Sequence, residues 1–337
     1  MKNVKLIPMQ EIEKVLDMRR TIQLCEKIYT ACGNGHVIMP AKLAMPYGAH
    51  GQWPGYDGNL TCLPAFIQYA PDDEILGMKW IWAFYNNKRD FNLPFIGAFI
   101  ILNHPRNGEA LAIMEGAYIT DIRTGGATAV AAKSLVNKSP RKKIGIFGAG
   151  MQGQMHARAM CAAFDVESIC IYDPYRTACE SFKEHMTQEL NVPVVISNTK
   201  EENCCDKDIV ITASIANEPL VELSWLKKGA TVFSIGSYAE LADDVVTKTK
   251  LYVDSWEQLS RKGKGDIGPR VESGVITKDA LTAEISDVVA GKKPGRENEE
   301  EIICACMIGM GILDVGIAGD LYKNDFANYN EHLMSFR

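Results

Sequence analysis

Residues 143–164 constrain this chain more than any other segment. An apolar run, Lys143-Ile144-Gly145-Ile146-Phe147, leads into Gly148-Ala149-Gly150-Met151-Gln152-Gly153, and helix-forming sequence continues to Phe164. A glycine triplet at this spacing says little alone. A strand before it and a helix after it supply the context in which it binds a dinucleotide. The three glycines then act differently. Gly148 permits the tight turn, Gly150 lets a pyrophosphate approach the backbone, and Gly153 lets the helix pack against the strand. The helix start adds unpaired N–H groups and a partial positive charge for the phosphates. A second apolar run, 168–172, ends at Asp173, 23 residues past Gly150. That is close to the separation expected of the carboxylate that accepts from the ribose hydroxyls. It would repel a 2′-phosphate, so the spacing predicts NAD, with NADH preferred over NADPH. Arg176 argues the other way, because a nearby arginine can accommodate such a phosphate.

From residue 143 onward strand-like and helix-like segments alternate, with strands expected at 143–147, 168–172, 194–196, 209–212, 231–234 and 251–253. This is the pattern of an α/β fold with a doubly wound Rossmann sheet. The earlier part predicts a strand at 4–7, one helix from about residue 10 to 31 stopped by Gly33 and Gly35, and strands near 60–66, 78–84, 95–102 and 111–114. These imply an α+β domain with a largely antiparallel sheet. Residues 123–135 are rich in small residues and helical in propensity. Residues 299–322 read as a long apolar helical pattern that returns to complete the first domain. The expected division is 1–121 with 305–337 as one domain and 122–304 as the Rossmann domain.

Composition bounds the partners. The 337 residues are 47% hydrophobic and 23% charged, and 36 Lys plus Arg against 42 Asp plus Glu leave a net charge of −6. A mildly acidic surface gives no electrostatic reason to expect nucleic acid or an anionic membrane. No apolar run reaches the roughly 18 residues that a membrane span needs. Met1-Lys2-Asn3-Val4-Lys5 leads into acidic, helix-patterned sequence without an apolar signal region, which predicts a cytoplasmic location. The ten cysteines form no paired C-x-x-C framework and read as small buried hydrophobes, so no metal site is expected.

The motifs Met78-Lys79-Trp80, Ala112-Ile113-Met114-Glu115-Gly116, the run from Ile119 to Thr128 and the run from Gly148 to Arg158 resemble the ornithine cyclodeaminase/μ-crystallin family. Val253-Asp254-Ser255 and residues 311–314 match more weakly, and the resemblance covers nearly the whole chain. It implies a Rossmann domain joined to an N-terminal substrate and dimerisation domain, a homodimer, and nicotinamide-dependent chemistry at the α-carbon of an amino acid or its imine. Lys79 then corresponds to the active-site lysine and Arg123 to the arginine that contacts the substrate carboxylate. Lys42 falls where many members place a further carboxylate-binding arginine. Thr124, Gln152 and Thr212 match cofactor contacts, and Met151, Ser234 and Gly236 belong to the same expected set.

From the residues alone, Lys79 reads as a lysine whose stem lies along an apolar strand end, Arg123 as a structural arginine and Lys42 as a solvated loop charge. Two or three fixed cations would hold an α-carboxylate in position for hydride transfer, which is the physical case for the functional assignment. His156 reads as a helix-surface or packing residue of the phosphate-facing helix. His50, Trp53, Tyr56 and Trp82 read as pocket or core residues.

The chain also departs from the family. Ser237 stands where cyclodeaminases carry an aspartate base, and Thr61 stands where they carry an acid. Glu240 is near enough in sequence to reach in from the loop, and Asp243 and Asp244 read as caps of the following helix. The expected activity is therefore an NAD-dependent oxidoreductase acting on an amino acid, N-substituted amino acid or cyclic imine. The alternatives are a cyclodeaminase-type lyase and a μ-crystallin-like binding protein.

Overall fold

Asp17 breaks the first helical pattern in two. In the computed structural model, which describes residues 3–48, 57–216, 218–236, 238–261, 263 and 265–335, α1 spans Met9–Val15 and α2 spans Met18–Gly33. The single helix expected over 10–31 is interrupted because the Asp17 carboxylate accepts from the Arg20 N–H at 2.8 Å and caps α2 as a new start. Around these helices run β1 (Asn3–Ile7), β2 (Val37–Ile38), β3 (Leu43–Tyr47), β4 (Gly58–Ala70), β5 (Asp73–Phe84), β6 (Ile96–Asn103) and β7 (Ala110–Glu115). A short α3 (Asn87–Phe91) links β5 to β6, and α4 (Ala117–Leu135) follows β7. His50, Trp53, Tyr56 and Ser237 lie outside the described residues.

The second sheet begins with β8 (Lys142–Phe147), α5 (Met151–Ala163), β9 (Val166–Tyr172), α6 (Arg176–Leu190) and β10 (Val194–Ile196). It continues through α7 (Lys200–Cys204), β11 (Ile209–Thr212), β12 (Thr231–Ile235), α8 (Asp243–Thr247) and β13 (Lys250–Val253). It ends with α9 (Trp256–Ser260), α10 (Gly268–Glu272), β14 (Leu281–Glu284), α11 (Ile285–Val289) and β15 (Ile303–Met307). All eight strands pair in parallel, in the order β10-β9-β8-β11-β12-β15-β13-β14. The order reverses beside β8, which is where doubly wound sheets bind ligands.

Strand β15 corrects the sequence expectation, which read residues 299–322 as one helical pattern. Ile303, Cys304, Ala305, Cys306 and Met307 are all buried between β12 and β13. A short apolar run buried on both faces cannot be separated from a buried helix by periodicity. The expected domain boundary at 305 falls inside this strand. The chain divides instead into one compact unit of residues up to Arg123 together with those from Met310 onward, and a second unit, Thr124–Gly309.

Within the first unit, α12 (Gly311–Asn324) and the edge strand β16 (Leu333–Ser335) complete the fold. The sheet order is β16-β1-β7-β6-β5-β4-β2, with β3 also paired to β4; among the described residues only β1 and β7 run parallel. Helix α12 lies close on the sheet because Gly319 faces it: a Cβ there would come within 2.4 Å of Ile75. The register aligns Leu63, Lys79 and Ile100 in one row, and all three are buried. The next row, Leu43, Cys62, Trp80 and Phe99, points to the other face, where Leu43, Trp80 and Phe99 are exposed. Trp82 lies over Gly97 and packs 5.3 Å from the Phe99 ring, so it belongs to the outward face. Among the described residues no helix is long and apolar enough to cross a membrane.

Candidate functional site

Pairing in register brings Phe147, Tyr172, Thr212 and Ser234 to one edge of the second sheet. The segments that follow β8, β9, β11 and β12 therefore gather at the carboxyl ends of four neighbouring strands. At the first of them Gly148 takes φ +100°, and a Cβ there would lie 2.5 Å from the Ala213 carbonyl oxygen. Gly153 abuts the same turn, since its Cβ would lie 2.0 Å from the Gly148 oxygen. Gly150 is different. Its φ is −78°, and a Cβ would meet nothing within 4 Å. The open side of Gly150, at the start of the thirteen-residue α5, is the shape that lets a pyrophosphate reach the backbone N–H groups. Met151 is half exposed beside it and Gln152 partly buried. These residues fit a dinucleotide.

The Asp173 carboxylate is anchored at this turn, accepting from the Ala149 N–H at 3.0 Å and from the Tyr175 N–H at 2.9 Å. Arg176 is exposed, with Nη1 3.5 Å from Asn198 Oδ1 and Nε 3.6 Å from Glu180. Thr212 is buried at the end of β11, and Gly236 takes φ +104° at the end of β12. The Ser234 hydroxyl, expected among the cofactor contacts, donates to Asp266 at 2.6 Å and is buried. His156 is fully buried. Its Nδ1 lies 2.7 Å from the Gln152 carbonyl and its Nε2 3.0 Å from the Thr128 hydroxyl, the contacts of a packing residue between α4 and α5.

Behind the turn lies a pair of carboxyls that no sequence pattern joins. Glu240 Oε1 accepts from the Ser214 hydroxyl at 2.5 Å and from the Ser214 N–H at 3.0 Å. Asp266 accepts from the N–H groups of Glu240 (3.1 Å) and Leu241 (3.0 Å). Burial pushes Glu240 up to about 7, with the Ser214 and Thr212 hydroxyls opposing and Asp266 adding to the rise. Burial raises Asp266 too. The two acids fasten the segments after β11 and β12, which flank the cofactor edge.

The first unit holds a second constellation. Lys79 Nζ lies 2.6 Å from Asp314 Oδ2, and Arg123 Nε donates to Asp314 Oδ1 at 3.0 Å. Lys79 also donates to the Thr120 hydroxyl at 3.3 Å. The Asp314 side chain is fully buried, and those of Lys79 and Arg123 retain 2% and 8% exposure. Burial drives Lys79 down to about 8, Asp314 opposing and Arg123 reinforcing the fall. Asp314 ionises more readily than usual, because the charges of Arg123 and Lys79 outweigh its burial.

The structure thus brings Lys79 and Arg123 together around an acid that the sequence reading missed. A signal was present: Asp314 is a lone carboxylate within the apolar run Ile312-Leu313-Asp314-Val315-Gly316-Ile317, and a charge so placed needs a partner. Lys42 is partly exposed just before β3 and is not among the groups that Asp314 binds. Thr124, next to Arg123 in α4, is partly exposed.

The model of the Ornithine cyclodeaminase/mu-crystallin family matches residues 3–327. The chain belongs to this family. N-((2S)-2-amino-2-carboxyethyl)-L-glutamate dehydrogenase of Staphylococcus aureus is similar, at 33% identity over 87% of this chain and 86% of its own. Among solved structures, Thermococcus litoralis Δ1-pyrroline-2-carboxylate reductase in complex with NADH and L-proline is similar with a TM-score of 0.87 and 31% identity. That likeness covers 95% of this chain and 97% of the reductase. An archaeal alanine dehydrogenase dimer with bound NAD gives a TM-score of 0.89 at 28% identity, covering 100% of both chains.

Proposed function

We propose that this protein is an NAD(H)-dependent oxidoreductase acting at the α-carbon of an amino acid, an N-substituted amino acid or a cyclic imine. The observation that carries this is the buried cluster of two cations and one carboxylate, in a chain whose other unit bears the dinucleotide turn. Lys79 and Arg123 bring two positive charges and Asp314 one negative, so the three together hold an excess of one positive charge. Isolated buried charge is costly unless it is paired. A substrate α-carboxylate balances it, and Arg123 offers a fork suited to planar carboxylate recognition. The glycine turn, Thr124, Gln152 and Thr212 hold the cofactor, which when bound supplies or accepts the hydride. Lys79 and Arg123 fix the carboxylate end of the substrate so that transfer occurs in a positioned pair.

NADH is the preferred form. Asp173 stands at the glycine turn, where its charge opposes a 2′-phosphate, while Arg176 is engaged by Glu180 and Asn198. The protein is a homodimer. Assembly rests on the outward row of Leu43, Trp80 and Phe99. The archaeal alanine dehydrogenase to which it is similar is described as a dimer. The ten free cysteines of this chain suit a reducing cytoplasm.

Absorbance at 340 nm with NADH and a panel of 2-oxo acids, amines and cyclic imines tests the activity. Net oxidation of NADH is expected. Ammonia release without it would mark a lyase, and neither response would leave only a binding role. Light scattering should give about twice the 37.2 kDa of one chain; a mass of one chain would contradict the dimer.

A further inference from the structure

We infer that Asp314 is a positioning residue for the proposed reaction: it holds the Lys79 ammonium and the Arg123 guanidinium in one fixed arrangement and leaves the η edge of Arg123 for the substrate carboxylate. The inference rests on the carboxylate-binding roles assigned to Lys79 and Arg123. Its own support is geometric. Asp314 uses separate oxygens for the two cations, Oδ2 for Lys79 at 2.6 Å and Oδ1 for Arg123 Nε at 3.0 Å. It is fully buried on α12, a helix held against the sheet so that the acid reaches a lysine in the inward row of β5. Among the described residues the η nitrogens of Arg123 make no hydrogen bond, while the Nε is committed to Asp314. A guanidinium tied by its Nε presents its two η groups in a fixed plane, which is the bidentate geometry a carboxylate takes.

The charge balance sharpens the role. Without Asp314, two cations would lie buried side by side and Lys79 would lose its proton more easily, since Arg123 and burial both favour the neutral amine. The groups that face this pair come from four elements. Lys79 is on β5; Arg123 and, farther off, Asp121 are on α4; Asp314 is on α12; and Cys25 and Tyr29 approach Arg123 from α2. Of these, Asp314 alone bonds both cations. Its carboxylate opposes loss of the Lys79 proton and leaves the three linked groups with the single positive charge that one substrate carboxylate neutralises. A monocarboxylate head group is therefore the matched ligand at this end of the substrate.

The test uses Asp314→Asn and Asp314→Glu in the full chain. In Asp314→Asn, kcat should fall about a hundredfold while NADH binding, followed by fluorescence, stays within about twofold. The alkaline limb of the kcat/KM profile, expected near pH 8 in the wild type as Lys79 deprotonates, should move to lower pH. Asp314→Glu keeps the charge but displaces it, so the limb should stay near 8 while kcat still falls about tenfold. If Asp314→Asn does not fold, the glutamate variant decides alone: wild-type kcat there would overturn the inference. A limb unmoved in Asp314→Asn would overturn it as well.

A readout free of turnover separates this from failure of the functional assignment. NMR titration of 13C-lysine, with the Lys79 resonance identified by its loss in Lys79→Met, should show a lower midpoint in Asp314→Asn. An unchanged midpoint removes Asp314's role even if the enzyme oxidises NADH. A lowered midpoint sustains it even if the substrate class proves different.

Discussion

The Gly148 carbonyl oxygen lies where a side chain on Gly153 would have to go, 2.0 Å from an ideal Cβ, whereas Gly150 two positions past Gly148 faces open space. The two positions should therefore respond differently to alanine. Gly153→Ala forces backbone apart and should cost about 1–3 kcal/mol of stability, read as a lower urea midpoint. Gly150→Ala should leave the urea midpoint unchanged, because φ −78° suits alanine. It should weaken NADH about tenfold, ~1.4 kcal/mol, by filling the approach to the backbone. Equal loss of stability in both variants would contradict the distinct roles given to the two glycines.

The substrate cations should separate turnover from cofactor affinity. Lys79→Met is expected to lower turnover by orders of magnitude with the NADH dissociation constant near its original value. Arg123→Leu should mainly raise the apparent KM for the acid, by about ten- to a hundredfold, the loss of a charge-assisted hydrogen bond worth roughly 1.5–3 kcal/mol. Steady-state kinetics alongside NADH titration checks both. Loss of NADH binding in Lys79→Met would place the lysine with the cofactor instead.

Asp173 should govern the choice of nucleotide. Titration should give tighter binding of NADH than NADPH, and Asp173→Ala should narrow the gap. Because Asp173 also accepts from the Ala149 N–H, the variant should bind both nucleotides less tightly than wild type binds NADH. Tighter NADPH binding by the wild type would mean that Arg176 prevails.

Glu240 makes stability depend on pH. Its carboxyl, ordinarily near 4.5, is raised to about 7 by burial. Between those values the folded protein keeps a proton that the unfolded chain has released, so this contribution is fully present below pH 4.5 and is lost as pH rises through 7. The full difference is about 3 kcal/mol. Glu240→Gln should flatten the decline of the urea midpoint between about pH 5 and pH 8. An identical slope in variant and wild type would show that Glu240 is not the titrating group.

Much of the second unit was legible because its signals are local. Three glycines, a strand end and Asp173 lie within a short stretch, and each expectation there rests on steric freedom or charge. The cluster of the first unit was only half legible. Lys79 and Arg123 carry a family motif, but Asp314 meets them from a helix 191 residues after Arg123, and no local pattern links them. Strand β15 misled for a related reason: Ile303–Met307 is apolar on both faces, and only the partners β12 and β13, distant in sequence, decide that it is extended. Ser234 shows the remaining limit. Its place near the end of a strand of the second sheet was readable, but its hydroxyl bonds Asp266 from a later loop.

The most direct test of hydride transfer at the α-carbon follows the hydrogen itself. NADH deuterated at the transferring position is incubated with the enzyme and an imine or 2-oxo acid plus amine that turns over, and the amino acid product is examined by NMR and mass spectrometry. One deuterium at the α-carbon is expected for each NADH oxidised. Product formed with no deuterium at the α-carbon and no net loss of NADH would contradict the proposed chemistry.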